Sequence, residues 1–134
     1  MSVDILAKNG LKLNVTNVAW RFVLEFGHRF GWTPSGTSQP DWYTDVQTWE
    51  GTYDPAMGQF VSDVDATLLG EAVTKGLDNA RLHDVLSQVT DSLNAHAESL
   101  GYKDGPAARV SDKTIDMLRQ FSEVAKNSGG FRIS

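Results

Sequence analysis

Residues 11–15, Leu-Lys-Leu-Asn-Val, alternate apolar and polar side chains, the period of a half-buried strand. The stretch 3–6 has the same β-prone character and predicts a partner strand. Between them Asn9-Gly10 is the dipeptide of a type I′ hairpin turn, in which both central residues take positive φ. The period then changes. Thr16 or Asn17 caps a predicted helix that runs to about Phe30, where Gly31 ends it. Its polar residues Asn17, Arg21, Glu25, His28 and Arg29 fall on one narrow stripe, with Arg21–Glu25 and Glu25–Arg29 at i,i+4 spacing. The remainder, including Trp20, Phe22, Val23, Leu24 and Phe26, is apolar. A helix with so narrow a wet stripe must be covered on most sides, so it is read as the central helix.

From Trp32 to about Thr48 turn formers dominate, among them Pro34, Gly36, Ser38 and Pro40, and the stretch reads as loop. Asp54-Pro55 and Gly58 then mark a turn between two β-prone flanks, 49–53 and 59–61, which predicts a hairpin. In it Trp49, Gly51 and Tyr53 share one face, and Glu50 and Thr52 the other. Ser62 before Asp63-Val64-Asp65 is a capping signature for a second helix to about Leu77, with Leu68, Leu69, Ala72, Val73 and Leu77 as its expected buried face. A third helix is predicted over 80–100, with Leu82, Leu86, Val89, Leu93, His96 and Leu100 on one stripe. A Gly-Pro-containing linker follows. Ser111 caps a fourth helix with Ile115, Leu118, Phe121, Val124 and Ala125 inward, and Gly129-Gly130 terminates it before a short final strand, Phe-Arg-Ile-Ser. The pattern lacks the regular βαβ rhythm of a parallel sheet. It predicts an α+β protein in which four helices pack with a small antiparallel sheet of short strands and hairpins, and residues 1–134 read as a single globular domain.

Composition narrows the chemistry. The chain has 134 residues and no cysteine, which removes disulfides, thiolate nucleophiles and cysteine-based zinc sites. The N-terminal stretch lacks a basic region followed by an apolar one, and no uncharged apolar run approaches the ~20 residues that span a bilayer; the expectation is a soluble, cytoplasmic protein without membrane contact. The formal net charge of −5 is concentrated. Residues 30–74 carry seven acids and no Lys or Arg, whereas residues 1–29 are net positive. Such a field disfavours nucleic acid and favours a cationic ligand or a basic protein surface, unless it only keeps the protein in solution.

Several fragments, taken in order, resemble a group of small uncharacterised bacterial proteins. They are the Trp20 helix running into Phe-Gly-Trp-Thr-Pro-Ser-Gly-Thr (30–37), Trp-Glu-Gly-Thr-Tyr (49–53), Gly-Gln-Phe-Val-Ser-Asp-Val-Asp-Ala-Thr-Leu-Leu (58–69) and the closing Gly-Gly-Phe-Arg-Ile (129–133). No activity is established for that group. The resemblance implies a compact single domain, implies no catalytic residue, and counts the aromatic stretch among shared features.

No motif of known chemistry stands out. His28, His83 and His96 lack metal-ligand spacing, and His96 falls on an apolar stripe, where a hydrogen-bonded core histidine is the simpler reading. Asp63-x-Asp65 lacks the remaining positions of a calcium loop. The glycines of 31–36 form neither a dinucleotide fingerprint nor a phosphate loop. Catalytic residues, cofactors and metals are therefore not expected. The aromatic segment remains: Trp32, Trp42, Tyr43, Trp49 and Tyr53 are five of thirteen aromatics within 22 positions. Trp32, Trp49 and Tyr53 are expected to face the core. Trp42 and Tyr43, with Asp41, Asp45 and Glu50 around them, are the candidate binding residues, because tryptophan and tyrosine dominate interfaces and carboxylates steer a cationic partner. The leading expectation is a non-enzymatic protein-interaction module with an acidic, Trp/Tyr-bearing surface for a basic partner. The alternatives are a small-ligand binder or enzyme with an aromatic-acidic cleft, and an oligomerisation domain that dimerises through open strand edges at 11–15 or 131–134.

Overall fold

A computed structural model describes residues 2–34, 53, 59–99 and 112–134, with the side chains of 96–99 excepted. It contains four helices and a four-stranded antiparallel sheet, the α+β class that the pattern predicts. In chain order the elements are β1 (Ser2–Ala7), β2 (Lys12–Thr16), α1 (Asn17–Arg29), β3 (Phe60–Val61), α2 (Asp63–Leu77), α3 (Leu82–Ser99), α4 (Asp112–Asn127) and β4 (Phe131–Ile133).

The sheet order is β2-β1-β4-β3. The C-terminal strand thus lies between β1 and β3, pairing Ile5 with Ile133, Ala7 with Phe131, and Val61 with Phe131. Both sides of β4 are occupied, so the open edge expected at 131–134 is absent; only β2 of the two candidate strands sits at the margin. The strand expected over 49–53 lies outside the described residues except for Tyr53, which occupies a bend rather than a strand.

The β1–β2 connection differs from the expected type I′ turn. Gly10 has φ +91°, but among the described residues no non-glycine residue has positive φ, so Asn9 does not fit that turn. Gly10 N–H donates to the Ala7 carbonyl and Ala7 N–H to the Leu11 carbonyl, which encloses a three-residue loop with its left-handed position at the glycine. Asn9 instead uses its side chain: Oδ1 accepts from Leu11 N–H at 3.0 Å and Nδ2 donates to the Asn127 carbonyl at 2.7 Å. The hairpin is thereby tied to the end of α4.

One face of the sheet is buried. Val3, Ile5, Ala7, Val15, Val61, Phe131 and Ile133 point into the core, while Ser2, Asp4, Leu6, Lys12, Asn14 and Arg132 alternate outward. Helix α1 begins at a Thr16 cap, whose hydroxyl accepts from Ala19 N–H at 3.0 Å, and it keeps its polar stripe wet with an Arg29–Glu25 ion pair at 3.5 Å. Trp20 from α1, Phe121 from α4 and Phe131 from β4 meet edge to face, with centroids 5.9–6.1 Å apart. Such pairs add about 0.5–1.5 kcal/mol each beyond the area they bury. The triad is where helices and sheet join.

Helix α2 lies against α1 and α4. Gly70 makes the α4 crossing close: a Cβ there would stand 3.0 Å from the backbone nitrogen of Lys126 and 3.2 Å from the Ala125 Cβ. That crossing sets the rotation of α2. Asp65, Ala66, Leu69, Ala72, Val73 and Gly76 turn inward. Leu68, expected among them, lies on the rim of that arc and is 46% exposed, and Val64 is 62% exposed.

Candidate functional site

The site is assembled where β3 turns into α2. Ser62 is the N-cap, its hydroxyl accepting from Asp65 N–H at 3.2 Å, so Asp63 and Asp65 occupy the first turn, where the helix dipole favours acids. Asp63 is exposed and accepts from the Thr67 hydroxyl. Asp65, two residues on, is fully buried. Its carboxylate accepts the hydroxyl of Tyr53 at 2.5 Å. Ser62 lies beside the Tyr53 phenol and favours its ionised form.

Two tryptophans close the arrangement. Trp20 Nε1–H donates to the Tyr53 carbonyl at 2.8 Å, and Trp32 Nε1–H donates to the Asp65 carbonyl at 3.2 Å. The Trp32 ring stacks on Tyr53, centroids 6.1 Å apart and planes 23° from parallel. Trp32 and Tyr53 are both buried, as the helix end and the strand-face reading led one to expect. His28 stays on the wet stripe but packs its ring against Trp32, with Nδ1 3.1 Å from the Trp32 carbonyl oxygen.

Burial above all, then the hydrogen bond and negative charge of Asp65, push the Tyr53 phenol above its ordinary value of 10.0, while the Ser62 hydrogen bonds pull the other way. Tyr53 is accordingly a neutral donor throughout the physiological range. Neither it nor Asp65 faces solvent. The cluster is a brace. It pins the chain at Tyr53 to α1 and to the start of α2, and among the described residues no buried side-chain nitrogen or oxygen lacks a partner.

Beside this brace lies a concavity of about 320 Å³. Phe30, Trp32, Leu68 and Ala72 form its apolar walls, and Glu71 and Lys75, a helical turn apart on α2, carry its charge. Val64 and Leu68 extend the apolar surface along the same helix. No protein-family model, curated protein or solved structure matches the chain. Function must then be read from this geometry.

The candidate binding residues Asp41, Trp42, Tyr43, Asp45 and Glu50 lie outside the described residues, as do Trp49 and the side chain of His96. His83 is exposed. Among the described residues, no group of three His, Cys, Asp or Glu side chains could hold a metal ion, and no helix is long and apolar enough to cross a membrane. The sequence reading missed Asp65 as a buried group. The Ser62-to-Asp65 capping spacing explains that acid without reference to Tyr53, and nothing local signals the pairing. It also missed Val64 and Leu68 as surface, because a helix period alone does not say where the buried arc ends.

Proposed function

We propose that this protein is a non-enzymatic interaction module that offers the outer side of α2 to a basic protein partner. What carries the reading is the pair Val64 and Leu68, two large aliphatic side chains one turn apart and about half exposed or more. They adjoin the apolar concavity under Phe30 and Trp32. Exposed apolar surface beside a pocket is the usual form of a protein contact. Charge favours a basic partner: segment 30–74 has seven acids and no base in sequence, and Asp63 and Glu71 lie exposed on this helix, with Lys75 a turn beyond Glu71. The same field argues against nucleic acid. Asp41, Trp42, Tyr43, Asp45 and Glu50 belong to that acidic segment and are proposed as further contact residues.

The test compares affinity capture by the wild type and by the double variant Val64→Ser, Leu68→Ser, with retained proteins identified by mass spectrometry. One basic protein, held by the wild type and lost from the variant at unchanged thermal stability, is the expected result. Equal retention by both, or an acidic partner, overturns it.

The concavity itself favours a second reading, a site for a small aromatic cation against Trp32 and Glu71, since about 300 Å³ is the lower bound of ordinary ligand pockets. Titration with tryptamine, followed by tryptophan fluorescence and repeated on Glu71→Gln, separates the two.

A further inference from the structure

Among the described residues no helix packs on the outer face of the sheet, and its registry places unlike chemistry in one line. Lys12 pairs with Leu6, Leu6 with Arg132, and Arg132 with Phe60, so these four side chains form a row across all four strands. At the usual inter-strand spacing the row is roughly 15 Å long. Lys8, next outward on the β1 file beyond Leu6, reaches over the Phe60 ring, with its ammonium 4.8 Å from the centroid. Three cations thus surround two apolar side chains. Leu6 is 44% exposed, and Lys8, Lys12 and Arg132 are exposed. The carboxylate on the same file, Asp4, lies on the side of Leu6 away from Lys8, where its Oδ1 accepts from Asn14 Nδ2.

We infer that this open face docks an acidic segment of a partner protein, with Lys8, Lys12 and Arg132 receiving its carboxylates and Leu6 and Phe60 its apolar side chains. Charge complementarity decides the partner's sign, because Lys8, Lys12 and Arg132 gather on this one face although the molecule as a whole carries a net −5. It also favours a peptide over a nucleic acid. A polyanion of many phosphates would meet the field of the net −5 protein as well as the patch, whereas a short acidic segment meets the patch alone. Surface that is basic and partly apolar suits side chains that bring both a carboxylate and an aliphatic contact. This face is separate from the α2 surface and does not depend on it.

Fluorescence anisotropy with a labelled peptide of alternating glutamate and leucine tests the inference on the full chain. Binding is expected, weakening as sodium chloride rises. The double charge reversal Lys8→Glu, Lys12→Glu should weaken it about tenfold or more while the far-ultraviolet circular-dichroism spectrum stays that of the folded protein, since both side chains are exposed. Leu6→Ser should weaken it separately, and Val64→Ser, Leu68→Ser should leave it intact. Absence of binding, indifference to the charge reversal, or tighter binding of a single-stranded oligonucleotide than of the peptide would each overturn the assignment.

Discussion

The hydroxyl of Tyr53 donates to the buried carboxylate of Asp65 at 2.5 Å, and this bond joins the end of the aromatic segment to the first turn of α2. Replacing Tyr53 by Phe keeps the stacked ring and removes the donor, which leaves a buried carboxylate with one hydrogen bond fewer. The expected loss is about 1–3 kcal/mol in urea or thermal unfolding. A change under half a kilocalorie would show that solvent already reaches Asp65.

The same pair makes stability depend on alkaline pH. The folded phenol titrates above its ordinary value of 10.0, so the unfolded chain loses this proton first. Its contribution is complete below pH 10 and declines as the pH rises beyond that toward the folded value. Unfolding free energy should therefore fall more steeply above pH 10 in the wild type than in Tyr53→Phe. Parallel pH profiles would contradict the burial of this hydroxyl.

Two helix caps provide a graded comparison. Thr16 serves only the start of α1 through Ala19 N–H, whereas Ser62 caps α2 through the N–H of Asp65, the residue whose carboxylate holds Tyr53. Thr16→Ala should cost about 1 kcal/mol, the ordinary cost of a lost cap. Ser62→Ala should exceed it, because the turn that this cap fixes also places the Asp65 carboxylate against Tyr53. Chemical denaturation of the two variants under one set of conditions ranks them.

Gly10 and Gly70 are needed for opposite reasons. Around Gly10 nothing lies within 4 Å of an added Cβ, but its φ of +91° is strained for any L side chain. Gly70 sits in a helix, where alanine is intrinsically better by about 1 kcal/mol, yet an added methyl meets the α4 backbone. Gly10→Ala should cost about 1 kcal/mol from conformation alone. Gly70→Ala should cost about 1–3 kcal/mol from overpacking despite its helix propensity. A stabilised Gly70→Ala would mean that α2 and α4 can separate.

Adjacent leucines on α2 separate surface from core. Leu69 is fully buried, so Leu69→Ala should lose about 2–5 kcal/mol. Leu68→Ser should change stability by no more than about 0.5 kcal/mol. Thermal melts of the two variants settle whether Leu68 is free for contact.

Much of this fold is written in local pattern. The alternation at 11–15, the narrow polar stripe of α1, the Ser62 cap and the double glycine before the last strand each specify an element through its own residues. Their period and capping chemistry act within a turn or two. The α+β class follows from them, as does the burial of Trp32 beside a helix end; Tyr53 is buried as expected, but from a bend rather than a strand. Contacts between distant residues are a different matter. The pairing of Ala7 with Phe131 closes nearly the whole chain, and no short window records it. The hydroxyl of Tyr53 finds Asp65 only once β3 has delivered α2 against α1. Leu68 faces outward because the Gly70 crossing with α4 fixes the rotation of α2, and a periodic stripe is silent about rotation. The basic row Lys12, Leu6, Arg132 and Phe60 exists only through strand order. Short-range periodicity chose the elements; close packing and registry between them decided which side chains were left for a partner.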